Sequence, residues 1–228
     1  MSMLGAIITP HPPVLLPEVG GGREREIAAT DRAMRTAAET VAAWQPDVII
    51  VSSPHTILYR DYFHIAPGDG AVGDMSRFGA PEVRIQASYD TLLREEIIRR
   101  AESEGLHAGT LGQRDPELDH GVLIPLYYLR KAGVRCPIVR MGLSGFSPLD
   151  HYRLGKCVQD AVNAPFFSPA AISRTSSKPT VLTAMRQRDH SLTTPSPTPW
   201  PAAIFLNFSP SIPRSANAQQ SAACAVFR

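Results

Sequence analysis

Gln45-Pro46-Asp47-Val48-Ile49-Ile50-Val51-Ser52-Ser53-Pro54-His55 is the stretch that decides the fold class. Val48–Val51 is an unbroken β-branched run with no polar alternation, the pattern of a strand buried on both faces. Pro46 and Asp47 break what precedes it, and Pro54 ends it. What precedes it is Glu24–Trp44, where Ile27, Met34, Ala38, Val41 and Ala42 recur at helical spacing between charged residues, so this segment reads as an amphipathic helix. Before the helix, Leu4–Ile8 is another short apolar run, ending at Thr9-Pro10-His11. Downstream, Tyr62–Ile65 and Val83–Ala87 are weaker strand candidates. Tyr89–Ser103 is a helix with Leu92, Leu93, Ile97 and Ile98 on one face. Leu118–Lys131 reads as a loop entering a helix that stops near Gly133. Pro137–Met141 is a strand, and Leu149–Val162 a helix opened by Ser147-Pro148. The alternation predicts an α/β domain with a mainly parallel or mixed sheet flanked by helices.

Composition narrows the function classes. The 228 residues are 43% hydrophobic and 19% charged, which fits a soluble globular chain and excludes a wholly disordered one. A net charge of +2 gives no footprint for nucleic acid or an anionic membrane, and no apolar run reaches the roughly 18 residues of a membrane helix. The opening residues have no basic segment, so no secretory signal is expected. Three cysteines (Cys136, Cys157, Cys224) with no Cys-x-x-Cys point to a reducing, cytoplasmic setting without a disulfide framework.

These averages conceal a break. Residues 1–164 carry 20 of the 21 acidic residues and all 16 glycines. Residues 165–228 carry one acid, Asp189, no glycine, 9 prolines and 16 serines or threonines. Such a segment supports neither a long helix nor a central strand. The expected organisation is a folded domain over 1–164 and an anomalous, disordered tail over 165–228.

Within the first part, His11 and His55 each follow a buried strand and each adjoins proline, which stiffens the loop. In open α/β sheets, ligands bind beyond the carboxyl ends of the strands. If the two strands are neighbours, as a single crossover favours, the imidazoles converge there. Imidazole is a common ligand for zinc, iron and copper. Glu117-Leu118-Asp119-His120-Gly121 precedes an apolar helix. Asp119 reads either as a helix cap or, with Glu117, as a group orienting His120. His64 reads as a strand residue, and Cys136 and Cys157 as small apolar residues. Gly20-Gly21-Gly22 lacks the P-loop lysine and reads as a flexible loop.

Taken in series, Thr9-Pro10-His11-Pro12-Pro13, Ser52-Ser53-Pro54-His55, the stretch GDMSRFGAPEV at 73–83 and ELDHGVLIPLYYL at 117–129 resemble the class III extradiol ring-cleavage dioxygenases. These are the homologues of the catalytic B subunit of protocatechuate 4,5-dioxygenase, and the nearest likeness is to the AmmeMemoRadiSam-associated, Memo-like branch. The resemblance covers residues 3–164. It implies that His11 and His55 ligate a non-haem Fe(2+), with zinc or copper as the alternative ions. It further implies that His120 is a catalytic histidine facing substrate or O₂, and that Asp74–Gly79 is a loop near the site. The partners it implies are a small aromatic diol and O₂, with association into a homo-oligomer. The alternative is a Memo-like module that binds a metal or small ligand without opening rings.

The resemblance also implies a strand after Ala164, then Ser-Gly-Asp-Leu-Ser-His bearing an acid–base histidine, and later a glutamate ligand. The chain instead reads PFFSPAAISRTSSKPTVLTAMRQRD from residue 165. Codons chosen to encode residues 169–189 yield ASGDLSHKLKADGPYGYAPEG in the neighbouring frame, the string the family pattern requires. The expectation is a frame change near residues 164–168, an incomplete C-terminal part of the domain, and a chain that is inactive as written.

Overall fold

The computed structural model describes residues 3–112 and 117–164, together with the backbone of a strand over 221–227. Its centre is a mixed four-stranded sheet. β1 (Met3–Pro10), β2 (Val48–Ser53) and β7 (Ile138–Gly142) run in one direction, and β8 (Ser221–Phe227) runs against them. The strand order is β1-β8-β2-β7, so β2 pairs in parallel only with β7. Beside this sheet lie a parallel pair, β3 (Phe63–His64) with β6 (Ala108–Gly109), and an antiparallel hairpin, β4 (Gly70–Met75) with β5 (Ala80–Ser88). A bridge from Ile65 to Met141 joins the first pair to β7.

Pleating assigns the two faces of β2 and β7. Ile49, Val51 and Ile138 face one apolar layer, closed by α2 (Ala28–Trp44) and α4 (His120–Lys131). Val48, Ile50, Val139 and Met141 face the other, closed by α3 (Thr91–Ser103) and α5 (Pro148–Val162). The absence of polar alternation in Val48–Val51 therefore has its reason: helices cover both sides. A short helix α1 (Pro17–Gly20) and a 3₁₀ turn at Arg23–Ile27 precede α2. No helix among the described residues is long and apolar enough to cross a membrane.

One expectation is corrected. The strands before His11 and His55 are not neighbours, because β8 is inserted between them and pairs with both. The crossover rule places consecutive parallel strands side by side, and an antiparallel strand from elsewhere in the chain defeats it. The expected tail over 165–228 lies outside the described residues except for 221–227, which form a strand paired with β1 and β2. Ser-Ala-Ala-Cys-Ala-Val-Phe contains no proline or glycine, so nothing in it forbids a full ladder.

The α2–α4 contact is anchored by one polar cluster. The Tyr128 hydroxyl donates to Asp31 Oδ1 at 2.7 Å, and Asp31 also accepts from Arg35 at 2.8 Å. Burial pushes the Asp31 carboxyl up, but the hydrogen bonds from Arg35 and Tyr128 outweigh it and hold the group below its usual range. Removing the hydroxyl in Tyr128→Phe is expected to cost about 1–2 kcal/mol in urea unfolding at neutral pH. A carboxyl depressed in the folded state stabilises above its unfolded pKa and loses that contribution as pH falls through the folded value. The stability gap between wild type and Asp31→Asn should therefore be full at neutral pH and shrink on acidification below about pH 4.

Candidate functional site

The carboxyl ends of β1 and β2 and the first turn of α4 meet at one place. His11 follows β1, His55 lies two residues beyond β2, and His120 is the first residue of α4. The structure brings together all three histidines singled out from sequence. His11 Nε2 is 3.0 Å from His55 Nε2. Ring centroids are 5.0 Å apart for His11–His55, 5.6 Å for His11–His120 and 4.0 Å for His55–His120. One nitrogen from each ring lies within 4.8 Å of those of the other two. His11 is fully buried, and the other two are half-buried.

Burial favours the neutral form of two of these rings, His11 and His120. Burial lowers the His11 pKa to about 4, helped by the facing His55 and His120 rings and opposed by the Asp119 charge and the Thr9 backbone. His120 is lowered too, first by burial and then by His55, while Asp119 pulls the other way and Arg77 adds to the lowering. A neutral imidazole presents a lone pair, which is the state that binds a metal ion. Two ligand nitrogens about 2.1 Å from a shared ion and at right angles around it stand roughly 3.0 Å apart. The His11–His55 separation fits that arrangement, so the donor set suits a borderline divalent ion such as Fe(2+), Zn(2+) or Cu(2+).

Asp119 resolves the two readings of its motif. It is the N-cap of α4, its Oδ1 accepting from the amides of Gly121 at 2.9 Å and Val122 at 3.3 Å. Its carboxylate makes no hydrogen bond to His120. Instead Oδ1 accepts the Ser53 hydroxyl at 2.6 Å, and Oδ2 stands 3.6 Å from Arg140 Nη2. The Glu117 carboxylate is exposed and pairs at 3.8 Å with Arg77, so it does not orient His120 either.

Sequence reasoning missed Ser53 and Arg140, because nothing local marks a buried serine or a buried arginine in a strand as a partner of a residue far along the chain. The hairpin tip over Ser76–Phe78 lies against the site, with the Phe78 ring 5.2 Å from the His120 ring in an edge contact. Two hydrogen bonds from Ser76 to Asp74 Oδ1 hold that tip, and Gly79 turns it with φ of +83°. A groove of about 620 Å³ elsewhere on the surface is lined by residues such as Tyr62, Glu102 and His107, and by none of the three histidines. His64 is a strand residue, its Nδ1 3.2 Å from the Leu111 carbonyl. Cys157 is buried in α5, and half-buried Cys136 has its thiol pushed up to about 11 by burial.

A family model described as the catalytic LigB subunit of aromatic ring-opening dioxygenase matches residues 5–166. The chain belongs to that family. Among curated proteins, it is similar to Protein CA_C1420 of Clostridium acetobutylicum, with 31% identity over 186 residues. That alignment covers 76% of this chain and 40% of the relative, so the chain spans well under half the relative's length.

Gly121 tests how tightly the site is built. A Cβ there would run into Ser53 Oγ and lie 2.9 Å from Asp119 Oδ1 and 3.1 Å from His55 Cδ2. In an open helix, Gly→Ala stabilises by up to roughly 1 kcal/mol. Here the sign should reverse, with Gly121→Ala destabilising by about 1–3 kcal/mol in urea unfolding.

Proposed function

We propose that this chain derives from a non-haem Fe(2+)-dependent extradiol dioxygenase acting on a catechol-type ring with O₂. The observation that carries the reading is the convergence of His11, His55 and His120 at the carboxyl ends of two strands, in a chain of the LigB family. His11 and His55 would hold the ion, and His120, beside them, would act as the catalytic histidine. When bound, the ion would supply Lewis-acid and dioxygen-activating chemistry at this position. The neutral His120 ring accepts a proton from a substrate hydroxyl, a role typically worth about 10²–10⁴ in rate. The Phe78 ring, in edge contact with His120, would offer an apolar wall to the substrate ring.

The same proposal includes damage to this copy. The family match ends at residue 166, where composition changes abruptly, and Glu117 is the last glutamate in the 228 residues. Neither the Ser-Gly-Asp-Leu-Ser-His string nor a later glutamate occurs within these 228 residues, which leaves the proposed centre without that second proton-transfer group and anionic ligand here. A second reading, a Memo-like metal or small-ligand module, draws on the all-imidazole character of the cluster.

The test has two arms. Anaerobic loading with Fe(2+) should give about one ion per chain, and His11→Ala or His55→Ala should lose at least roughly tenfold in affinity. Unchanged uptake in both variants would sink the metal reading. Oxygen-electrode assays with catechol should show no turnover by this chain, whereas the chain translated after correction of the frame near codons 164–168 should consume O₂ with ring opening. Stoichiometric metal with no O₂ uptake in the corrected chain would select the Memo-like module. Turnover by the chain as written would overturn the claim of damage.

A further inference from the structure

We infer that Asp119 is a positioning residue that locks the His55 loop to the His120 helix and so sets the spacing of the two imidazoles. The inference rests on the metal-centre reading above and adds a residue outside the histidine cluster.

A continuous path of hydrogen bonds joins the two segments. The His55 amide donates to Ser53 Oγ at 3.1 Å, the Ser53 hydroxyl donates to Asp119 Oδ1 at 2.6 Å, and that oxygen caps the Gly121 amide at 2.9 Å. One carboxylate oxygen thus grips the end of β2 and the start of α4 together. The other oxygen faces Arg140 Nη2 at 3.6 Å, and Arg140 Nη1 donates to the Glu117 carbonyl at 2.8 Å. Arg140 lies on β7, so the residues entering α4 are held from two strands. Ser53 is 1% exposed, Arg140 2%, and the Asp119 side chain 12%.

Capping alone does not account for this arrangement. An N-cap needs one acceptor at the surface, and serine, threonine or asparagine supplies it. Burying a carboxylate against a guanidinium carries a desolvation cost that a plain cap avoids. What the carboxylate adds is an acceptor that takes Ser53 and two amides on one oxygen while the other faces a cation. Gly121 removes the remaining slack, since no side chain fits between Ser53 and the cap. Groups that fix metal-ligating histidines in this way typically contribute roughly 10–100-fold to metal affinity.

The experiment compares the full chain with Asp119→Ala, Asp119→Asn, Ser53→Ala and the Ser53→Ala/Asp119→Ala double variant. Two readouts are taken: Co(2+) affinity with its visible absorption, and amide hydrogen exchange in the metal-free chain. Asp119→Ala should weaken Co(2+) binding by roughly 10–100-fold and alter the Co(2+) spectrum. Exchange at the His55 and Gly121 amides should speed up while amides inside β2 and β7 keep their protection. Asp119→Asn, which retains a capping oxygen, should restore Gly121 protection and part of the Co(2+) affinity. The double variant should lose less affinity than the two single losses combined, the mark of one shared path. Unchanged His55 exchange in a folded Asp119→Ala, with affinity unaltered, would overturn the inference. If Asp119→Ala does not fold, Asp119→Asn and Ser53→Ala decide by the same exchange readout. If the wild-type chain takes up no Co(2+), the metal reading fails, and His55 exchange alone decides whether Asp119 positions the loop.

Discussion

The hydrogen bond between Ser53 and Asp119 is the constraint on which the site depends. It joins residues 66 positions apart, and it joins them at the places where two histidines leave regular structure. A strand end is a free loop unless something fastens it, and a helix start is a set of unpaired amides unless something caps it. One carboxylate answers both needs. Because it also faces Arg140 on β7, the site inherits the rigidity of the central sheet and not the mobility of the loops that carry it.

The chemistry of the cluster follows from that placement. Burial at the edge of the apolar core disfavours the charged form of His11, and the facing His55 and His120 rings add to the effect, which lowers its pKa to about 4. A ring whose protonation is disfavoured in this way keeps its lone pair for another cation. Asp119 acts in the opposite sense, as a fixed negative charge close to the rings but turned toward Ser53, Arg140 and the helix amides. It therefore shapes the field of the site without competing with the histidines as a donor.

Much of this was legible in the sequence where the information is local. Val48–Val51 reads as a doubly buried strand because its residues are apolar without alternation, and helices do cover it on both faces. The helices over 28–44, 91–103 and 148–162 follow from apolar spacing and their boundary residues. His11, His55 and His120 stood out by type and position, and they do converge. The illegible parts are non-local. Strand β4 begins Gly-Ala-Val-Gly, with little β propensity of its own, and is held by its ladder with β5 and by the close packing of Gly73 on Leu118. The pairing of Ser53 with Asp119 leaves no periodicity to read. The separation of β1 from β2 leaves no local trace, because a strand more than 160 residues further on fills the gap between them.

That inserted strand bears on the argument for a changed reading frame. Between β1 and β2 the sheet demands a backbone able to pair on both edges, and the ladder itself is made of amides and carbonyls that any sequence without proline supplies. Ser221–Phe227 meets this demand with small and apolar residues. Its register, with Cys224 opposite both Ile7 and Val51, runs antiparallel to two strands that are parallel to each other. A slot satisfied by main-chain hydrogen bonds tests composition only weakly, whereas a catalytic histidine and a ligating glutamate are single residues that no other composition replaces. A shifted frame would therefore spare a strand of this kind more readily than the chemistry beside it.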